Sequence, residues 1–85
     1  MIKTGQQATT TSAAELPSVA FASGLVVLKA PKANAASIEV GGVGVTTTGG
    51  FVLDPGDSVQ VSVLNLSSLY LIGANTTDKI TWIGF

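Results

Sequence analysis

Residues 51–63, with the sequence FVLDPGDSVQVSV, contain the clearest turn and the clearest strand of the chain. Pro55 presets the φ angle of the first central position of a turn, and Gly56 allows the positive φ that a type II turn needs at the second. After the turn, valines alternate with polar residues, which places the valines on one face of an extended chain. They are Val59, Val61 and Val63, alternating with Ser58, Gln60 and Ser62. This stretch therefore predicts a half-buried β-strand that begins at a tight turn.

The rest of the chain reads as further short strands separated by turns. These are predicted at residues 19–21, 25–30, 37–40, 69–72 and 79–85, and residues 43–48 are predicted as either a strand or an extended loop. The continuous apolar run of residues 25–30 (LVVLKA) predicts a central strand covered on both sides. In residues 37–40, the alternation places Ile38 and Val40 inward and Glu39 outward. With no helical periodicity, the sequence predicts an all-β fold: a small β-sandwich or jelly-roll-like barrel of about seven or eight strands.

The last predicted strand carries the single tryptophan. Its alternation puts Ile80 and Trp82 on one face and Thr81 and Ile83 on the other. We interpret Trp82 and Tyr70 as core residues, the alternative being exposed rings that stack on a sugar or fill an interface pocket.

Residues 1–15 differ in composition from the rest, being small, polar and without a steady period. We predict an extended N-terminal arm here, either paired as an edge strand or present as a disordered tail. Residues 16–85 are predicted to form a single β domain.

Composition limits the function classes and favours association. The 85 residues include no cysteine and no histidine, so disulfides are excluded and a zinc site is disfavoured. Charged residues make up 11% against about 25% in typical domains, while 46% are hydrophobic. We expect self-association to cover part of this surface, the alternative being a compact monomer with a Ser/Thr-rich surface.

The charge and hydropathy patterns argue against other partners. The net charge is −1 and the sequence has no arginine, which disfavours nucleic-acid binding. No apolar run reaches the roughly 18–20 residues of a membrane span, and we find no signal-peptide pattern. We therefore expect synthesis in a cytoplasm and no membrane partner.

No catalytic, metal or cofactor site is predicted. Serine and threonine are abundant, but no histidine or cysteine is present to activate or replace them. Asp54 and Asp57 flank the Pro-Gly turn, and we favour a turn role over a glycosidase-like carboxylate pair. A calcium site built from these two residues and Asp78 would need six or more oxygen ligands, so we disfavour it. The chain is predicted not to be an enzyme.

Several motifs, in order along the chain, resemble those of one family. They are VLKAP (27–31), Asn34, IEVG (38–41), GVTTTGGF (44–51), LDPGDSV (53–59) and LYLIGA (69–74). Together they span most of residues 25–82 and resemble small virion proteins of tailed bacteriophages, of the head-decoration or head-fibre-like kind. A Leu-x-Pro-Gly-Asp turn also occurs in cupins, but the metal-binding histidines of a cupin are missing here.

The resemblance implies a structural virion protein, most simply a capsid decoration (cement) protein that binds the head surface and stabilises the shell. The implied partner is the major capsid protein of a phage head, the implied oligomer is a homotrimer, and the implied location is the capsid surface after synthesis in the bacterial host cytoplasm. The alternative is a carbohydrate- or receptor-binding β module of a phage tail or fibre.

Two regions are candidate contact surfaces for the partner. One is the polar arm, which could order on a partner at assembly. The other is the apolar end of the sequence, WIGF (82–85), which places large apolar groups where solvent is normally close. The candidate interface residues are Ile2, Lys3, Thr4, Gln6, Gln7 and Phe85.

Overall fold

The computed structural model describes residues 2–85, which form eight β-strands, one short 3-10 helix and no α-helix. The strands are β1 (Lys3–Ala8), β2 (Ala14–Glu15), β3 (Leu25–Lys29), β4 (Ile38–Gly41), β5 (Phe51–Leu53), β6 (Ser58–Ser62), β7 (Tyr70–Gly73) and β8 (Lys79–Gly84), and the 3-10 helix is Leu66–Ser68. They make two antiparallel four-stranded sheets packed face to face. The predicted all-β sandwich of seven or eight short strands is confirmed.

The two sheets have the strand orders β1-β8-β3-β6 (sheet 1) and β2-β7-β4-β5 (sheet 2). Each strand of the first half of the chain pairs with its mirror strand of the second half: β1 with β8, β2 with β7, β3 with β6 and β4 with β5. These pairs alternate between the sheets, as though one long hairpin had been rolled up. This is the strand order of an eight-stranded jelly roll.

The predicted type II turn links the two sheets between β5 and β6. Gly56 has φ +94°, and the Asp57 N–H donates to the Asp54 carbonyl at 2.8 Å, which closes the turn. The Asp57 carboxylate accepts from the Asp54 N–H at 3.1 Å, and the Asp54 carboxylate accepts from the Ser37 hydroxyl. Both acids therefore act in the turn. The valines of β6 face inward, as predicted, and pack against the core.

The core lies between the two sheets and is built by residues two apart on each strand. Sheet 1 contributes Val26, Leu28, Ile80 and Trp82, and sheet 2 contributes Ile38, Val40, Leu53 and Leu71. Trp82 is buried, which confirms the core interpretation, whereas Tyr70 is half-buried with its hydroxyl 3.4 Å from Glu15.

The N-terminal segment is part of this architecture. Residues 3–8 form edge strand β1, paired along its length with β8, and residues 14–15 form β2 at the edge of sheet 2. The Trp82 ring lies over its cross-strand neighbour Gly5, where a Cβ atom would be 2.5 Å from the ring. Of the two options for the arm, edge-strand pairing is thus the arrangement found. Met1 lies outside the described residues.

Two expectations about individual strands are wrong. Residues 25–30 are not covered on both sides: Val26 and Leu28 are buried, but Leu25 is exposed because the outer face of sheet 1 carries no second layer. Residues 19–21 form only an isolated bridge between Ala20 and Asn65. Of the two options for residues 43–48, the strand is not found, and these residues belong to a loop with turns.

Glu39 is also placed differently from the prediction. It alternates with Ile38 and Val40 and so points away from the core, yet only 8% of its surface is exposed. The loop of residues 42–50 folds back over this face of sheet 2, and Gly50 lies against Glu39, since a Cβ atom on Gly50 would be 2.7 Å from that of Glu39. Outward-pointing residues of sheet 2 are therefore covered where this loop passes.

A buried polar cluster closes one end of the sandwich. The Asp78 carboxylate accepts from the N–H groups of Ala35 and Ala36, at 2.7 and 3.0 Å, and from the side-chain amide of Asn75 at 3.0 Å. The Asn34 side chain donates to the Lys79 carbonyl at 2.8 Å and accepts from the Lys79 N–H at 2.9 Å. The β3–β4 connection is thereby fastened to the turn that precedes β8.

Thr9 joins the same cluster from the β1–β2 connection. Its hydroxyl donates to the Asn75 carbonyl at 2.7 Å, and its N–H donates to the Asp78 carbonyl at 2.9 Å. Hydrogen bonds to Asp78, first of all from the Ala35 N–H, lower the pKa of this carboxyl below its ordinary value, although burial acts in the opposite direction.

We expect Asp78→Asn to destabilise the fold at neutral pH and to reduce its sensitivity to acid. An acid whose pKa is lowered by folding stabilises the native state above its unfolded-state pKa and loses that contribution as the pH falls through the folded pKa. Urea midpoints measured from neutral pH to below about pH 4 test this. Glu15→Gln, at an exposed carboxyl, is the control. Parallel pH profiles for native and Asp78→Asn protein would contradict the role of Asp78.

Replacement of Gly84 by alanine is expected to destabilise the sandwich. The added Cβ atom would overlap the ring of Phe21, which is itself buried. Overpacking of this kind costs about 1–3 kcal/mol, so the urea midpoint should fall. Gly42→Ala is the matched control, because nothing lies within 4 Å of its added Cβ atom. Equal midpoints for the two variants would show that Phe21 does not occupy this position.

Candidate functional site

The outer face of sheet 1 has an uncovered apolar area at one end. We call it the apolar patch, formed by Ile2, Leu25, Ile83 and Phe85, each of them exposed. Ile2 and Phe85 are 62% and 42% exposed, respectively. Three adjacent strands, β1, β8 and β3, bring these residues to the same end of the sheet.

The strand register places the patch residues side by side. Ile83 lies between Thr4 of β1 and Val27 of β3, so all three share the outer face. In the next row, the Phe85 N–H donates to the Leu25 carbonyl at 3.2 Å. Because Lys3 pairs with Gly84, continuing the register by one residue sets Ile2 opposite Phe85.

Phe85 is held in this row by a further pair of hydrogen bonds. The N–H and the hydroxyl of Ser23 both donate to the Phe85 carbonyl, at 3.0 and 2.6 Å. Its ring is thus presented on a fixed backbone, which lowers the entropy lost when a partner covers it.

Two lysines occupy the opposite end of the same face. Lys29 and Lys79 are both exposed, and Lys29 pairs with Thr81 while Lys79 pairs with Ala8. The outer face of sheet 1 is therefore apolar at one end and positively charged at the other. A complementary partner surface would carry an apolar area flanked by acidic groups.

The candidate interface residues divide into two groups. Ile2, Thr4, Gln6 and Phe85 are exposed, and Thr4 and Gln6 alternate with Ile2 on the outer side of β1. Lys3 and Gln7 lie on the other side of β1 and bond within the chain. The Lys3 ammonium donates to the Ala20 carbonyl at 2.7 Å, and the Gln7 amide donates to the Glu15 carbonyl at 3.4 Å.

Leu25 belongs to the patch but was missed by the sequence interpretation. The run LVVL was read as buried throughout, which hid the exposure of its first residue. No signal in the sequence could have found it, because all four residues of the run are apolar and show no alternation. Ile83 was placed correctly on the face opposite Ile80 and Trp82.

Residues 2–85 contain no pocket and no group of three or more acidic side chains arranged to hold a metal ion. No helix among these residues is long and apolar enough to cross a membrane.

The sequence was compared with protein-family models, with curated proteins and with solved structures, and no match was found in any of the three comparisons. The resemblance to phage virion proteins therefore stays a prediction from the motifs.

Glu39→Gln is expected to raise stability at neutral pH. Burial raises the pKa of Glu39 above its ordinary value of 4.5, because the covered site disfavours the charged form. The contribution of Glu39 to the stability of the folded state is most favourable at pH values below that ordinary pKa. This contribution is lost as the pH rises through the raised pKa of the folded state. Urea midpoints at neutral and acidic pH measure the effect, with Glu15→Gln as the exposed control. A lower midpoint for Glu39→Gln at neutral pH would contradict it.

Proposed function

We propose that this protein is a structural bacteriophage virion protein, a capsid decoration (cement) protein that binds the head surface and stabilises the shell. Two lines of reasoning support the proposal. The sequence motifs resemble those of small head-decoration proteins, and jelly rolls are found in viral capsid domains, as well as in lectins and cupins. A fold alone does not establish function, whereas an exposed surface limits which partners can bind.

The apolar patch is the observation that carries the proposal. Contiguous exposed apolar residues, rimmed by polar ones, mark protein–protein contact sites on otherwise soluble surfaces. Here Phe85, directly after β8, is flanked by Ile2 and Leu25, and Ile83 of β8 lies in the adjacent row, with Thr4 and Gln6 as a polar border. Such an arrangement of an apolar centre and a polar rim is typical of an interface.

The proposed partner is the major capsid protein of the phage head. A protein partner with an apolar area and acidic neighbours fits both the patch and the two lysines, Lys29 and Lys79, on the same face. Many copies bound across the joints between capsid subunits would resist their separation, since each additional contact acts at high effective concentration. In this proposal the protein is made in the host cytoplasm and acts on the capsid surface of the virion.

The alternative, a sugar- or receptor-binding module of a tail or fibre, gains no specific support. Its aromatic candidates were Trp82 and Tyr70. Trp82 is buried beneath β1, and the Tyr70 hydroxyl is directed to Glu15.

Ile83→Lys is expected to weaken binding to heads at least tenfold, because it would introduce a charge into the patch. Purified protein is mixed with heads assembled without this chain, and the bound fraction is measured by co-sedimentation. Val43→Lys is the control, since Val43 is an exposed apolar residue outside sheet 1. Circular dichroism checks that both variants fold.

Each outcome of this experiment has one interpretation. Binding that is lost in Ile83→Lys and kept in Val43→Lys supports the patch as the capsid contact. Equal binding of both variants contradicts the role of the patch. If the native protein binds isolated tails and not heads, the decoration proposal is wrong and the tail or fibre module is favoured.

A further inference from the structure

The jelly roll leaves four strand edges open within the described residues, and they differ in length and protection. β2 and β5 have two and three residues, whereas β1 and β6 have six and five. Natural proteins protect long edges with charged residues, proline, glycine or bulges. β1 carries Lys3 and Gly5, but β6, with the sequence SVQVS, has none of these.

The unpaired main-chain groups of β6 can be assigned from its neighbours. The Val63 N–H donates to the Gly24 carbonyl at 2.7 Å, and the Asp57 carbonyl accepts from the Ala30 N–H at 2.9 Å. Because the two main-chain groups of a strand residue point to one side and alternate along the strand, odd-numbered residues face β3. The N–H and C=O groups of Ser58, Gln60 and Ser62 therefore point to the open edge.

The sequence of β6 is the same in both directions. Ser58-Val59-Gln60-Val61-Ser62 is a palindrome centred on Gln60. When two copies of such a strand pair antiparallel about Gln60, serine lies opposite serine and valine opposite valine. All six free main-chain groups on each copy then find partners in this one register.

The side of the sandwich that carries β6 is also apolar. β5 reaches β6 through the short turn at Asp54–Asp57, so both edge strands lie on this side. Phe51 and Val52 of β5 are exposed, Phe51 by 58%, and Val59 and Val61 of β6 are only partly buried. A second copy placed against β6 would cover apolar surface as well as pair main-chain groups.

We propose that β6 is a self-association edge, at which two copies of this chain pair antiparallel about Gln60 and join their sheets into one of eight strands. A second copy is the occupant because a two-fold axis through Gln60 pairs the free main-chain groups of each copy with those of the other, and the palindrome sets serine against serine and valine against valine in that register. In this register the inner and outer faces of the two sheets stay continuous. Val59 lies opposite Val61 of the second copy on the inner face, and Gln60 lies opposite Gln60 of the second copy on the outer face.

This inference goes beyond capsid binding and does not depend on it. The apolar patch is formed by β1, β8 and β3, so pairing at β6 leaves Ile2 and Phe85 free for another partner. A closed two-fold pair and the trimer predicted from the sequence are different assemblies of the free protein. The native mass of the free protein, measured without capsids, distinguishes a dimer from a trimer. Because head binding is measured separately, the dimer proposal and the capsid proposal can each fail while the other stands.

The first test is the native mass of the free protein and of two lysine variants, by size exclusion with light scattering. We expect twice the chain mass of 8.5 kDa for the native protein. Gln60→Lys sets two like charges opposite each other across the axis and should give a monomer. Gln6→Lys makes the same change on the outer face of β1, the edge strand on the other side of sheet 1, and should leave the dimer intact. Circular dichroism confirms folding.

The second test uses the absence of cysteine from the sequence. In a hydrogen-bonded antiparallel pair, opposite Cα atoms are about 5.5 Å apart, which suits a disulfide. Gln60→Cys should therefore cross-link on mild oxidation. Ser58→Cys is the matched control: in this register the two copies of residue 58 are four residues apart along the strand, about 13 Å, and should cross-link far more slowly.

A native monomer or trimer overturns the proposal, as does a dimer that survives Gln60→Lys. Equal or faster cross-linking of Ser58→Cys relative to Gln60→Cys overturns the register about Gln60. A dimer that is lost in Gln60→Lys, kept in Gln6→Lys and trapped by Gln60→Cys supports the pairing.

Discussion

The Asp78 carboxylate and the groups that surround it hold the jelly roll closed at one end. The chain crosses between the sheets four times at this end: after β1, β3, β5 and β7. Asp78 accepts hydrogen bonds from the second of these crossings and from the fourth, and Thr9 of the first bonds to the same turn. The Gly56 N–H of the third crossing donates to the Ala30 carbonyl at 2.7 Å. Because a buried charge is costly unless its hydrogen bonds are complete, this cluster favours one arrangement of the crossings.

With that end occupied by polar groups, the interaction surfaces lie elsewhere on the sandwich. The outer face of sheet 1 has no covering layer, which leaves the apolar patch exposed at the end opposite the Asp78 cluster. The outer face of sheet 2 differs, because the loop of residues 42–50 folds over Glu39. The open edge of β6 adds a second surface on the β5–β6 side. The two proposed contacts therefore use different parts of one sheet, so a single small domain could bind a capsid and dimerise at the same time.

Much of the fold could be read from local patterns. The Pro55-Gly56 turn, the inward valines of β6 and the two faces of β8 follow from φ preferences and from a period of two. The Leu25–Lys29 strand was located correctly, but its burial was not. An apolar run has no alternation to show which face is covered, and the answer depends on whether a second layer exists. The isolated bridge at Ala20 likewise depends on a partner 45 residues away, Asn65.

In the candidate site, too, some features follow from local sequence patterns and others depend on contacts between distant segments. The sequence by itself determined that the chain is all-β and that Trp82 and Ile83 lie on opposite faces of the last strand, and it drew attention to Ile83 and Phe85 as apolar groups near solvent. Only the tertiary structure decided that Ile2, Leu25, Ile83 and Phe85 are neighbours, that Lys3 and Gln7 bond within the chain, and that Glu39 is covered. The physical reason is that alternation is a property of a few consecutive residues. Adjacency across strands is set by pairing between segments that are far apart in the chain, and the pattern of one strand does not encode its partner.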